Sequence, residues 1–436
     1  MRGSAPRDGS LAVMPAWLGK PLLLAWRLLD LLVPKRSDHW AFFDHPLKPG
    51  QFIENARAVF EQVKDDPRVH CRVFVRGGQR PPDVHDDAHV RVVRLDSLAG
   101  LWALARCGVL LLTNSTALDM SLPWRNGRYA APRPWLHRRV TINLWHGIPL
   151  KRLFALANPD QRQHGDRDRH RRRERRFYTG LVASSAIDAY AMAAIFHPLP
   201  PTHVWVTGLP RNDFLRIAED ALPVGLREEA SRVRALRGGR RLVLYAPTYR
   251  DASVATERAY LFSDDEVTQL KQVLRRHDAV LGLRGHYLVN APAPLDPARH
   301  LDGDVLLDLG HAHFQEIAPL LRESALVITD YSSVYIDALY LDLPVLGFAY
   351  DLEHYRTRQN GLLYDLELAF PGPMTTTFPA LLTALDAALA QPQHPPDERY
   401  LTARRLFFQH LDANNSHRVV QRIHAAIAAN SPARCQ

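Results

Sequence analysis

The chain has 436 residues, 46% of them hydrophobic and 23% charged, which allows two domains with separate cores and excludes wholesale disorder. Its three cysteines, Cys71, Cys107 and Cys435, are too scattered for a disulfide framework or a zinc site. They predict a reduced, cytosolic setting in which Cys71 and Cys107 act as small buried hydrophobes. A formal charge of +9 favours phosphate-rich partners, whether nucleotides, anionic headgroups or nucleic acid.

No apolar stretch reaches the roughly 18–20 residues that span a bilayer. Residues 14–33 come closest, but Lys20, Arg27 and Asp30 interrupt them. The stretch 22–33 reads as an amphipathic helix, with Trp17 and Trp26 as interfacial anchors and Lys35-Arg36 behind it. Residues 1–36 are therefore expected to lie on an anionic membrane surface. The competing reading is an ordinary helix packed on the first domain. No small-residue cleavage site follows, which argues against a signal peptide.

Strand and helix then alternate. Strand-like runs lie at 71–75, 90–95, 109–113, 140–144, 182–184 and 203–207, with helical windows at 51–63 and 98–107. The basic run 162–176 (RQHGDRDRHRRRERR) reads as a solvated face or a loop, or, more sharply, as a loop lying on an anionic membrane. The charged region 215–239 marks a boundary. A second series follows at 241–246, 279–283, 305–309, 325–329 and 344–348, with helical windows at 264–275, 316–322 and 334–341 and a helical end over 378–429. Nearly continuous apolar runs suit buried parallel strands. The pattern predicts an α/β protein with two doubly wound, Rossmann-like domains, 37–220 and 221–436, facing each other across a cleft.

In such sheets ligands gather at the carboxyl ends of strands, and five turns there carry chemistry. The first is Trp145-His146-Gly147-Ile148-Pro149-Leu150-Lys151-Arg152, where glycine and proline make a turn that displays an imidazole suited to taking a hydroxyl proton. The second is Gly208-Leu209-Pro210-Arg211-Asn212-Asp213, in which Arg211 either pairs with a phosphate or contacts Asp213 at a helix start. The third is Tyr245-Ala246-Pro247-Thr248-Tyr249-Arg250, and the fourth Arg284-Gly285-His286-Tyr287, where Gly285 allows close backbone approach and His286 can donate to phosphate. The fifth, Asp330-Tyr331-Ser332-Ser333-Val334-Tyr335-Ile336-Asp337, puts two serines at a helix start, a position that either caps the helix or binds an anion. Each turn alone is equally compatible with a structural role.

Taken in order, the five turns resemble the CDP-glycerol glycerophosphotransferase family, which includes teichoic acid and capsule polymerases and primases. Its members carry Trp-His-Gly-Thr-Pro, Gly-x-Pro-Arg-x-Asp, Tyr-Ala-Pro-Thr-Trp-Arg, Lys-x-His-Pro and Asp-Tyr-Ser-Ser-x-x-x-Asp. The likeness covers about residues 40–382, with a Gly50…Asn55 start and a 347–355 segment. It implies a GT-B-like fold and CDP-glycerol as donor. It implies His146 as catalytic base, with Gly147, Ile148, Pro149 and Leu150 as a donor-contacting loop. Arg211, Pro247, Thr248, Gly285, His286, Tyr287, Ser332, Ser333 and Asp337 take donor-binding positions, His286 also stabilising charge on the pyrophosphate in catalysis. Ile148 stands where threonine is usual, Tyr287 where proline is, and Asn360 where arginine is common, so CDP-ribitol stays open as a donor.

The reaction expected is transfer of glycerol phosphate to an acceptor hydroxyl with release of CMP, building a teichoic-acid-like or capsular polymer at the cytoplasmic face of the membrane. The acceptor is expected to be a polymer or a lipid-linked saccharide. No cofactor is called for beyond Mg2+ assistance to the pyrophosphate, and no metal cluster is evident, His311/His313 and His164/His170 lacking a supporting framework. The alternatives are a GT-B glycosyltransferase with a nucleotide sugar, a nucleic-acid binder using the basic run, and a membrane adaptor with a dead transferase fold. No nucleic-acid module is recognisable, and the intact histidines and serines argue against a dead enzyme.

Overall fold

Two groups of largely apolar strands build two all-parallel sheets. The computed structural model describes residues 16–46, 48, 50–123, 129–159, 162, 166–248, 260–285, 294–358, 361–391 and 396–430. The chain divides into two compact units. The first comprises Met1–His146, His164–Asp213 and Asn414–Gln436, the second Gly147–Gln163 and Phe214–Ala413.

The first unit contains β1 (Arg36–Phe43), β2 (His70–Val75), β3 (Val90–Arg94), β4 (Cys107–Leu112), a short antiparallel ribbon of β5 (Leu122–Pro123) and β6 (Tyr129–Ala130), then β7 (Val140–Asn143), β8 (Gly180–Ala183) and β9 (Val204–Val206). The large sheet runs β3-β2-β1-β4-β7-β8-β9. The second unit contains β10 (Arg241–Tyr245), β11 (Ala279–Leu283), β12 (Leu306–Asp308), β13 (Ser324–Thr329), β14 (Val345–Phe348) and β15 (Met374–Thr375), in the order β12-β11-β10-β13-β14-β15. In both sheets strand order reverses beside the first strand, between β1 and β4 and between β10 and β13. Such a reversal opens a crevice at the carboxyl ends of the strands. The helix Asp264–Arg276 shows how the faces are covered. A Ser263–Glu266 capping box starts it, and Val267, Leu270, Val273 and Leu274 pack beneath it into the core with Leu281 and Leu283 of β11.

The α/β class and every expected strand appear, with ends shifted by up to two residues. The strand β1 was missed because its first half, Arg36-Ser37-Asp38-His39, is polar. Four other expectations need correction. The N-terminal helix runs from Ala16 to Leu32 and is part of the first unit, not a separate segment. Trp26 is not an interfacial anchor: it is buried, and its indole N–H donates to Leu101 O at 2.8 Å, while Trp17 is exposed. The basic run is in part a helix, Asp166–Arg175, with Glu174 and Arg175 buried, Arg175 donating to Ile195 O at 3.1 Å. The last helix, Asn415–Asn430, belongs to the first unit although 221–436 was expected to form one domain. Asp213 holds it there, accepting the N–H groups of Asn415 (2.9 Å) and Ser416 (2.8 Å). Cys71 and Cys107 are buried free thiols as expected, and burial pushes both up to about 12. Cys435 lies outside the described residues.

Asp30, which interrupts the apolar N-terminal stretch, is the polar anchor of that helix. It is fully buried, ion-paired to the equally buried Arg139 and to Lys35, and accepts Trp135 N–H at 2.9 Å. Burial alone would raise its carboxyl, but Arg139, Trp135 and Lys35 outweigh that and hold it below the ordinary carboxylate range. The contribution to stability is therefore present above the unfolded-state pKa and is lost as pH falls through the depressed folded value. Asp30→Ala leaves Arg139 buried without its carboxylate and should cost about 3–5 kcal/mol in equilibrium denaturant unfolding at neutral pH. A loss under about 1 kcal/mol would show that the pair is not what fixes the helix.

Candidate active site

At the end of β7 the chain turns sharply. Trp145 adopts a left-handed backbone (φ 54°), a strained conformation for a bulky residue. Three hydrogen bonds hold it. Its N–H donates to Asn143 Oδ1 at 2.9 Å, and the Asn55 side-chain amide donates to Leu144 O (3.1 Å) and Trp145 O (3.0 Å). The Asn55 Oδ1 in turn accepts Arg211 N–H at 2.9 Å. One buried side chain thus couples the His146 turn to the Arg211 turn.

His146 follows Trp145 and packs against it, with ring centroids 3.9 Å apart and the planes tilted by 36°. The imidazole is open to solvent, and its Nδ1 lies 3.3 Å from Thr113 O. A carbonyl only accepts, so Nδ1 carries the proton and Nε2 presents its lone pair. Asp119 steadies that carbonyl's loop, accepting Thr113 N–H (3.0 Å), the Thr113 hydroxyl (3.0 Å) and Asn114 N–H (2.8 Å). Desolvation by surrounding protein lowers the His146 pKa from the ordinary imidazole value. Glu54 and the Thr113 carbonyl oppose the shift, and the Arg211 charge adds to it.

The second unit carries its own cluster at the β10/β13 reversal. Asp330 Oδ1 accepts Thr248 N–H at 2.8 Å and Tyr331 N–H at 2.6 Å, and Thr329 Oγ1 donates to Ala246 O at 2.7 Å. These bonds tie the Ala246-Pro247-Thr248 turn to the Asp330-Tyr331-Ser332-Ser333 turn. Tyr331 stacks on Tyr355, with centroids 4.1 Å apart. The helix after the second turn, Val334–Leu339, begins without a side-chain cap from Ser333, so plain capping does not account for that serine. Residues 150–152 are stitched to 361–363: Leu363 N–H donates to Leu150 O (2.9 Å), and Arg152 N–H to Gly361 O (3.0 Å). An added Cβ at Gly285 would meet no heavy atom of the described residues within 4 Å.

The family profile described as CDP-glycerol:poly(glycerophosphate) glycerophosphotransferase matches residues 30–425. The chain belongs to that family. It is 28% identical over 370 residues to a teichoic acid poly(glycerol phosphate) polymerase of Bacillus spizizenii, covering 83% of this chain and 86% of that protein. It is likewise 28% identical over 388 residues to a teichoic acid glycerol-phosphate transferase of Staphylococcus aureus, covering 86% and 90%. The solved wall teichoic acid polymerase TagF has the same fold, with a TM-score of 0.72 at 21% identity over 94% of each chain.

Within this glycerophosphotransferase, His146 and Arg211 fall in the first unit, 147–150 and the Thr248, Gly285, Ser332, Ser333 and Asp337 positions in the second. The side chains of Ile148, Pro149, Leu150 and Asp337 are buried. His286, Tyr287 and Asn360, with Tyr249 and Arg250, lie outside the described residues. Asp213, the alternative partner considered for Arg211, accepts the N–H groups of Asn415 and Ser416. Of the two histidine pairs, His170 sits on a helix 3.4 Å from Glu174 and His311 Nδ1 accepts from Arg284, while His164 lies outside the described residues. Sequence reasoning missed a metal-competent group: ligand atoms of Asp38, His39 and His70 lie within 4.8 Å of one another at the start of β1 and β2. The pairing of His39 with His70 across neighbouring strands brings them together, a register the sequence does not display.

Asn55 received no role from its sequence, only a place in the Gly50…Asn55 likeness. Asn55→Ala would leave two buried carbonyls and one N–H without this partner and should destabilise the first unit by roughly 2–4 kcal/mol. Tryptophan-monitored unfolding measures this directly. An unchanged midpoint would mean that the Trp145 turn holds itself.

Proposed function

We propose that this glycerophosphotransferase moves glycerol phosphate from CDP-glycerol onto an acceptor hydroxyl, with His146 as the general base. The observation that carries the reading is the contact of His146 Nδ1 with Thr113 O at 3.3 Å. A carbonyl can only accept, so Nδ1–H donates to it, and with the pKa lowered the Nε2 lone pair is left to act as the base. The acceptor oxygen forms a bond to the phosphorus that bears glycerol. The bond from that phosphorus to the bridging oxygen breaks, CMP leaves, and the acceptor proton passes to Nε2. Positioning and electrostatics carry most of such a transfer.

Donor binding is assigned to the second unit, to the Thr248 and Ser332-Ser333 turns that Asp330 clamps, together with Gly285, His286, Tyr287 and Asp337. Buried Ile148, Pro149 and Leu150 would meet the donor through their backbone, with Gly147 beside them. Arg211 supplies a positive charge near His146. The reading needs no resident cofactor; a Mg2+ ion would travel on the donor's pyrophosphate oxygens rather than in a protein cage. The product is a teichoic-acid-like or capsular cell-envelope polymer, extended on a polymer or lipid-linked acceptor. The exposed apolar residues of the N-terminal helix support work at the cytoplasmic membrane surface, and no helix among the described residues is long and apolar enough to cross a membrane. CDP-ribitol is the alternative donor, separated by mass spectrometry of the products.

His146→Ala should lower kcat by about 10²–10⁴-fold with a much smaller change in donor affinity. Unchanged turnover removes the base role. Because the base must be unprotonated and its pKa is lowered, kcat/KM should stay level through neutrality and fall only below the ordinary imidazole value of about 6.5. An acid limb centred at or above that value contradicts the assignment. His286→Ala should weaken CDP-glycerol binding, read by titration calorimetry, and an unaltered Kd would remove it from the donor site.

A further inference from the structure

The N-terminal helix Ala16–Leu32 is fastened to the first unit along one side and bare along the other. Trp26, Asp30 and Val33 face inward, and the Trp135 indole N–H donates to Arg27 O at 2.9 Å. On the outside Trp17, Leu24, Leu28 and Leu32 are more than half exposed, at 74%, 61%, 59% and 76%. The last three recur every fourth residue, a stripe along one face of the helix. Against this stripe lies a pocket of about 510 Å³ lined by Lys20, Leu23, Leu24, Arg27, Arg133 and His170, with three small alanines completing it.

Four of those side chains are basic or protonatable, and among the described residues no carboxylate lines the pocket. The Arg27 guanidinium lies over Trp135 at 4.6 Å, and its Nε is buried with no hydrogen-bond partner among the described residues. A buried guanidinium N–H without an acceptor is costly, and a phosphate oxygen would satisfy it. Lys20 and Arg133 are exposed, while His170 has the buried Glu174 carboxylate 3.4 Å from its Nε2. A cationic pocket bordered by an apolar stripe matches a molecule that is anionic at one end and aliphatic at the other.

From this geometry we infer that the pocket holds the phosphate headgroup of an anionic membrane glycerophospholipid while the Trp17–Leu24–Leu28–Leu32 stripe enters the acyl region. The inference rests on the reading that the enzyme works at a membrane surface, and it adds a discrete lipid site to that surface. A basic residue near an anionic bilayer contributes about 1 kcal/mol, and the stripe supplies apolar burial that does not depend on lipid charge.

Vesicle co-sedimentation of the full chain tests it, with phosphatidylcholine alone and with about 30 mol% phosphatidylglycerol, a fraction that sets a surface potential of physiological order. Lys20→Gln/Arg133→Gln should weaken binding to the anionic vesicles by roughly tenfold to thirtyfold and leave binding to neutral vesicles unaltered. Arg68→Gln/Arg91→Gln removes two exposed arginines elsewhere in the same unit and should cost less than about threefold. Equal losses from the two double variants would reduce the pocket to diffuse charge and overturn the inference. So would displacement by farnesyl diphosphate but not by a short-chain phosphatidylglycerol, which would identify a lipid diphosphate as the occupant instead. Leu24→Ser/Leu28→Ser should weaken binding to both vesicle types. If the wild-type chain binds neither, the membrane-surface reading itself falls. Transfer to a soluble acceptor, unaffected by Lys20→Gln/Arg133→Gln, keeps either failure separate from the chemistry.

Discussion

The amide of Asn55 is the interaction on which the first unit's chemistry rests. A left-handed tryptophan does not persist by itself, and the two carbonyls flanking it point into the protein, where water cannot serve them. Asn55 satisfies both and uses its remaining oxygen to fix the backbone of Arg211. The His146 ring packs beside Trp145 at a tilt of 36°, and its Nδ1–H donates to Thr113 O. The backbone of the His146 turn and that of the Arg211 turn are thus both tied to one neutral side chain that carries no reactive group.

The second unit reaches order by a charged version of the same device. Asp330 collects N–H groups from two strand-end turns and so links β10 to β13 at the place where strand order reverses. In both units, then, a polar side chain at or beside a strand end gathers main-chain groups that would otherwise be orphaned, and presents the neighbouring turns as a rigid edge. All-parallel sheets make this necessary, because their strand ends emerge from an apolar interior with their hydrogen-bonding capacity only partly used.

What was legible from sequence follows the same physics. Buried parallel strands announce themselves as apolar runs, so β7, β11 and β13 could be placed to within a residue or two, and the turns after them could be named as sites. The strand β1 could not, since half of it is polar. Nor could the contribution of Asn55, 89 residues in sequence from Leu144 and 156 from Arg211, because a hydrogen bond across such a span leaves no local pattern. Trp26 misled because an indole suits an interface and a buried donor site equally well, and only the position of Leu101 O decides between them. In the Gly-Leu-Pro-Arg-Asn-Asp turn the sequence offers Asp213 only a helix-start contact with Arg211. That aspartate bonds across more than two hundred residues to the C-terminal helix.

That last contact has a bearing on how the protein is made. Gly208 has a positive φ of 79°, and a Cβ there would come within 1.9 Å of Asn415 Oδ1, so the seat for the C-terminal helix is shaped to that helix alone. At ribosomal speeds of about 5–20 residues per second, some 10–40 s separate the synthesis of Asp213 from that of Asn415. During that interval the nascent first unit carries an empty groove, and the Arg211 turn lacks its support from behind. Phe214–Ala413 is synthesised entirely within the gap. The packing of the base-bearing unit is thus complete only once residues 415–430, made about two hundred residues after Asp213, have joined it.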